Sequence, residues 1–114
     1  MMKIRAGGRV VASVEYSDDI FRISKGLRFS KKFGKGYGLL MKLPAESRIN
    51  AIVDMLFVFF PIDVVWIDSN KQIVDIKRNV KPFTIYMPKA KALYVLELNS
   101  NSTKKLKIGN SLSF

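Results

Sequence analysis

The chain contains neither cysteine nor histidine, so disulfides, thiolate-bound metals and imidazole-bound metals are all unavailable to hold it together. Whatever it folds into must rest on buried apolar surface. At 114 residues it is long enough to bury one such core, and one domain is the natural count. The same two absences exclude Ser–His–Asp and Cys–His nucleophile arrangements. Carboxylate and lysine chemistry stay open in principle, but no motif for either occurs. The residues therefore point to a non-enzymatic domain with no implied cofactor or metal.

Charge is the second constraint. Twenty Lys and Arg against nine Asp and Glu leave a net charge of +11. Such a balance speaks of an anionic partner and not of a fold. Lys3, Arg5 and Arg9 interrupt the apolar residues near the start of the chain, so no uninterrupted signal-peptide core is present there. The most apolar stretch, residues 49–67, is broken by Asn50, Asp54, Pro61 and Asp63, too polar for a membrane span. The expectation is a soluble cytoplasmic protein; its oligomeric state is not readable.

Most of the chain has strand character. Residues 2–6 and 9–16 flank Gly7-Gly8, and alternation of Val10, Ala12 and Val14 with Val11, Ser13 and Glu15 predicts a hairpin. Ser17-Asp18-Asp19 is a helix start signal, followed by Ile20, Ile23 and Leu27 at helical spacing and Gly26 as a stop. Residues 37–43 read as a strand closed by a turn at 44–47. Residues 48–60 and 62–68 read as apolar extended runs divided at Pro61. Ser69-Asn70-Lys71 then turns into a strand over 72–80, predicting a second hairpin. A loop over 81–90, a strand over 92–98, a short helical turn over 99–105 and a last strand over 111–114 complete the reading. Strands of this number and shortness predict an all-β domain, mainly antiparallel, with a compact barrel- or sandwich-like sheet and one or two short helices.

The clearest functional candidate is the basic segment 22–42. It carries Arg22, Lys25, Arg28, Lys31, Lys32, Lys35 and Lys42, and no acid occurs from Ile20 through Ala45. Phe29, Phe33 and Tyr37 are interleaved. Cations for phosphates beside aromatics for bases are the ingredients of nucleic-acid binding. Lys25, Arg28, Lys31, Lys32, Lys35 and Tyr37 are thus candidates for an anionic partner, nucleic acid in particular. A merely solvated basic loop has the same composition. Lys35-Gly36-Tyr37-Gly38 begins like an RNA-recognition motif, but Leu39 and Lys42 then stand where stacking aromatics belong. Gly34-Lys35-Gly36 is not followed by the Lys-Ser/Thr of a phosphate loop.

A second candidate is the central block 55–66, where Met55, Phe57, Asp63 and Trp66 combine aromatic faces with a carboxylate. Such a set suits a small-molecule or carbohydrate pocket. Core packing for the aromatics, and turn chemistry for Asp63 and Asp68, account for the same residues.

The run from Met55 to Asp68, with Pro61-Ile62-Asp63 at its centre, resembles the central block of the domain-of-unknown-function family 192. Tyr94-Val95-Leu96-Glu97-Leu98-Asn99 with Gly109-Asn110 resembles its C-terminal block, and Lys25-Gly26-Leu27 with Phe29 its N-terminal one. Leu39 to Pro44 occupies the place of a further apolar block. This chain departs at Leu56-Phe57-Val58, where the family has polar residues, and at Ile23, Arg28 and Asn110. The resemblance implies a β-rich single-domain fold and brings no activity or catalytic residues with it.

Overall fold

The computed structural model describes residues 1–19, 37–56 and 58–114, with Tyr37 described by its backbone alone. Seven strands form one sheet: β1 (Met2–Ala6), β2 (Arg9–Ser17), β3 (Tyr37–Ser47), β5 (Ile62–Ile67), β6 (Ile73–Val80), β8 (Ala92–Asn99) and β9 (Leu112–Ser113), in spatial order β6-β5-β8-β3-β2-β1-β9. Two short strands, β4 (Val53–Asp54) and β7 (Ile85–Tyr86), pair antiparallel as a separate ribbon. The fold is all-β.

Gly7 and Gly8 both have positive φ, 57° and 79°, the combination a two-residue hairpin turn with right-handed strand twist requires. The β1–β2 hairpin follows, with a bulge between Ile4 and Arg5. The β5–β6 hairpin turns on Asp68. Its Oδ1 accepts the N–H groups of Asn70 and Gln72, both at 2.9 Å, while Lys71 takes φ 60°. One pairing departs from the antiparallel rule: β2 and β3 run parallel, Ser13 opposite Tyr37 through Ser17 opposite Met41. Parallel neighbours cannot be joined by a tight hairpin turn and need a crossover connection.

The sheet curls until its two edges meet. Ile73 at the head of β6 donates to the Asn110 carbonyl and accepts from Gly109, at 2.9 and 2.8 Å, and Leu112 donates to the Lys71 carbonyl at 2.8 Å. These bonds close one end of a half-barrel. Its concave side buries Ile4, Val14, Leu40, Val65, Ile67, Ile73, Leu96, Leu98 and Leu112, with Leu106 inserted from the segment before β9. The opposite face, bearing Leu39, Met41, Val64, Trp66 and Val95, is covered by Ala51, Val53, Met55 and Val58. Both faces of β5 are therefore buried, and all six of its residues are inaccessible. A strand covered on both sides reads as a nearly continuous apolar run, and Ile62 to Ile67 is one, interrupted by the buried Asp63 alone.

Three expectations change. Residues 44–47 do not close β3; the strand continues through Pro44 to Ser47, with an irregularity between Lys42 and Ser47 that accommodates the missing proline N–H. The described residues of the stretch 48–60 are not an extended run but a series of turns and bends around β4. Ala51 bonds back to Arg48, Ile52 to Ile49, and the Asp54 carboxylate accepts from Leu56 N–H at 2.7 Å. Residues 99–105 form turns in place of a helical turn, and no helix occurs among the described residues. The helix expected over 17–27 lies outside them beyond its first residues, where Ser17 Oγ accepts the Asp19 N–H at 3.2 Å.

Candidate anion-binding cleft

A cleft of about 950 Å³ opens between the tip of the β1–β2 hairpin and the segment leading to β9. Arg9 lines one side and Lys104 and Lys105 the other, with Asn101, Ser102 and Asn110 adding amides and a hydroxyl. None of the three cations makes a hydrogen bond, ion pair or ring contact with a described residue.

Their placement is set by the fold. Arg9 follows the Gly7-Gly8 turn and pairs with Ala6, so the hairpin geometry fixes its backbone. Lys104 and Lys105 sit between two anchored residues. Thr103 is wholly buried, and both its N–H and its hydroxyl donate to Asp63 Oδ2, at 3.2 and 2.8 Å. Leu106 is buried in the barrel, and its N–H donates to the Thr103 carbonyl at 3.0 Å. The Arg78 guanidinium reaches over from β6 and donates to the carbonyls of both Thr103 and Leu106, at 3.0 and 2.7 Å. The two lysines are thus held on a tied turn, on the same cleft as a third cation. Such a site attracts groups rich in oxygen and negative charge, phosphate above all.

The basic candidates Lys25, Arg28, Lys31, Lys32 and Lys35 lie outside the described residues, and of Tyr37 the backbone alone is placed, at the start of β3. Of the second candidate set, Phe57 also lies outside. The structure does not bring the other three to one pocket. Met55 and Trp66 are buried in the same core, where the Trp66 indole N–H donates to the Ala51 carbonyl at 2.7 Å. Asp63, an odd number of residues from Trp66 on β5, faces the other side. There it accepts from Asn79 N–H at 2.9 Å, Ser102 N–H at 3.1 Å and both donors of Thr103. Asp63 is a turn-holding carboxylate, but the turns it holds are distant in sequence.

Sequence reasoning passed over Arg9, Lys104 and Lys105. Arg9 registered as a break in an apolar stretch, and the lysines belonged to an expected helical turn. The available signal was a pair of lysines set between Thr103 and the apolar Leu106, but nothing in a linear reading joins it to Arg9.

An all-β half-barrel with a basic cleft at its closed end defines the class of domain. The chain belongs to the DUF192 family, described as "Uncharacterized ACR", whose profile matches residues 2–114. Among its relatives, UPF0127 protein PH1112 of Pyrococcus horikoshii is 40% identical over 84 residues, covering 74% of this chain and 70% of that protein. UPF0127 protein PF1050 of Pyrococcus furiosus is 37% identical over 97 residues, 85% of this chain and 80% of that one. The match to a UPF0127 protein of Thermococcus sibiricus, 37% identical, takes in 74% of this chain but 53% of that longer relative. Two crystal structures share the fold. One, from Sinorhizobium meliloti 1021, is provisionally described as a transcription regulator; it superposes with TM-score 0.86 at 24% identity, covering 97% of this chain and 91% of that one. The other, a protein of unknown function from Novosphingobium aromaticivorans DSM 12444, gives TM-score 0.87 at 20% identity, covering 98% and 84%.

Proposed function

We propose that this domain is a non-enzymatic binding module for an anionic, phosphate-bearing partner, nucleic acid in the first place. The observation that carries the reading is the convergence of Arg9, Lys104 and Lys105 on one cleft, each without a partner among the described residues, Arg9 held by the hairpin pairing and the two lysines beside the buried Thr103. The acid-free segment 22–42 supplies further cations to the same kind of ligand. The lack of histidine and cysteine supports binding over catalysis. A chain of +11 also gains fast, salt-sensitive encounter with polyanions.

Fluorescence anisotropy with unstructured RNA, single-stranded DNA and duplex DNA, between about 50 and 200 mM salt, tests this. Micromolar or tighter binding to one form at the higher salt is expected. Changing Arg9, Lys104 and Lys105 together to Gln should weaken it on the order of 10- to 100-fold and reduce the salt slope by about two to three. Changing Lys31, Lys32 and Lys35 to Glu measures the contribution of the basic segment. Binding that vanishes at the higher salt, or that neither variant weakens, overturns the reading.

A further inference from the structure

Away from the cleft, on the cap that covers the convex face, five apolar side chains stand in solvent. Leu56, Phe59, Phe83, Ile85 and Met87 are 46, 62, 54, 70 and 48% exposed. They are neighbours by construction. Asp54 pairs with Ile85, Met55 N–H donates to the Thr84 carbonyl, and Phe83 N–H donates to the Met55 carbonyl. The rings of Phe59 and Phe83 meet edge to face, centroids 5.6 Å apart. Scattered apolar residues on a surface are ordinary; a contiguous set that includes two aromatics marks an interaction surface.

Phe83 adds a second observation. Its φ is 60°, in the left-handed region where a bulky side chain is strained and glycine would be at ease. The conformation directs an aromatic ring outward at the expense of local stability. Such strain concentrates where a residue binds something.

The surroundings say what that something is. Lys81 and Lys89, both exposed, flank the 83–87 segment, and Lys77 Nζ lies 5.1 Å from the Tyr86 ring centroid. The nearby acids are occupied, Asp54 by Leu56 N–H and Asp75 by the N–H groups of Ile76 and Lys89. The patch is therefore apolar at its centre and cationic at its rim. A second copy of this chain would set lysine against lysine, in a molecule already at +11. An anionic bilayer matches both features: headgroup phosphates and carboxylates meet the lysines, and the apolar tips reach the acyl boundary.

We infer that the cap carrying Leu56, Phe59, Phe83, Ile85 and Met87 docks the domain peripherally on anionic lipid surfaces. Docking uses a different face from the cleft and does not depend on what the cleft binds. Co-sedimentation with vesicles of phosphatidylcholine alone, and of phosphatidylcholine with about one third phosphatidylserine, is the test. Wild type should bind the anionic vesicles on the order of tenfold or more above the neutral ones. Phe83→Gly combined with Ile85→Ser should weaken that binding on the order of tenfold or more. The Phe83/Ile85 variant should keep the wild-type circular dichroism spectrum and a cooperative melt, both sites being exposed, so that loss of binding is not loss of fold. Changing Arg9, Lys104 and Lys105 to Gln should leave the apolar contribution intact, seen as the same ratio between wild-type and Phe83/Ile85 surfaces. Wild type that fails to bind anionic vesicles sinks the inference. So does equal binding by the Phe83/Ile85 variant, which would reduce the effect to net charge. Self-association abolished by Ile85→Ser, without vesicle binding, would overturn it in favour of a dimer interface.

Discussion

A single carboxylate with no exposed surface, Asp63, accepts four hydrogen bonds from Asn79, Ser102 and Thr103. Three of the donors are backbone N–H groups, part-buried at Asn79 and Ser102 and fully buried at Thr103, so removing the acceptor leaves them without their partner. Asp63→Ala is expected to lose about 3–5 kcal/mol in urea denaturation, and Thr103→Val about 1 kcal/mol. The double variant should lose less than the sum, since the threonine hydroxyl has no acceptor once the carboxylate is gone. An additive pair would show that the two residues act separately. Gly38 makes the other residue-scale prediction. A methyl group there would collide with the Glu97 carbonyl and the Leu98 side chain of the neighbouring β8, so Gly38→Ala should cost about 1–3 kcal/mol, read as a fall in melting temperature.

Elements explain why some of the structure was legible in the sequence and some was not. Both hairpins were read correctly, because Gly7-Gly8 and Asp68 carry local turn chemistry that needs no tertiary context. The parallel pairing of β2 with β3 has no local signal. Nor does alternation reveal the inward face of β5 when both faces are covered. The apolar run of residues 48–60 suggested a strand, but its apolar residues serve two ends, some capping the sheet and some left in solvent. Of the candidate site residues, the buried acid Asp63 was identified as turn chemistry or a pocket, and the structure assigns it to turns. The cleft was invisible because Arg9 is set by one hairpin and Lys104-Lys105 by side chains of β5 and β6. Arg78 gives this a measurable form. Arg78→Met removes two bonds holding the lysine turn, so the Leu106 amide should exchange hydrogen on the order of tenfold faster. Ligand affinity should fall along with it. Unchanged exchange at Leu106 would mean that Asp63 alone fixes the turn.

At the scale of the whole molecule, two cores share one sheet. Strands β3, β5 and β8 contribute to the barrel interior on one side and to the capped layer on the other. Neither core persists without those strands, so the domain is expected to unfold as a unit. Trp66 reports on the capped layer by fluorescence, and far-ultraviolet circular dichroism reports on the sheet. Their urea transitions should coincide. Separate midpoints would show the cap detaching while the barrel stands.

The antiparallel contact of β1 with β9, Arg5 opposite Ser113 and Ala6 opposite Leu112, bears on how the chain is made. The β1–β2 hairpin is translated well before β9, so the edge of β1 at Arg5 and Ala6 stays open until β9 follows. Until then that edge offers unpaired N–H and C=O groups to any passing strand. Lys3 and Arg5, both exposed on β1, place charge on that strand, the kind of feature that discourages such pairing.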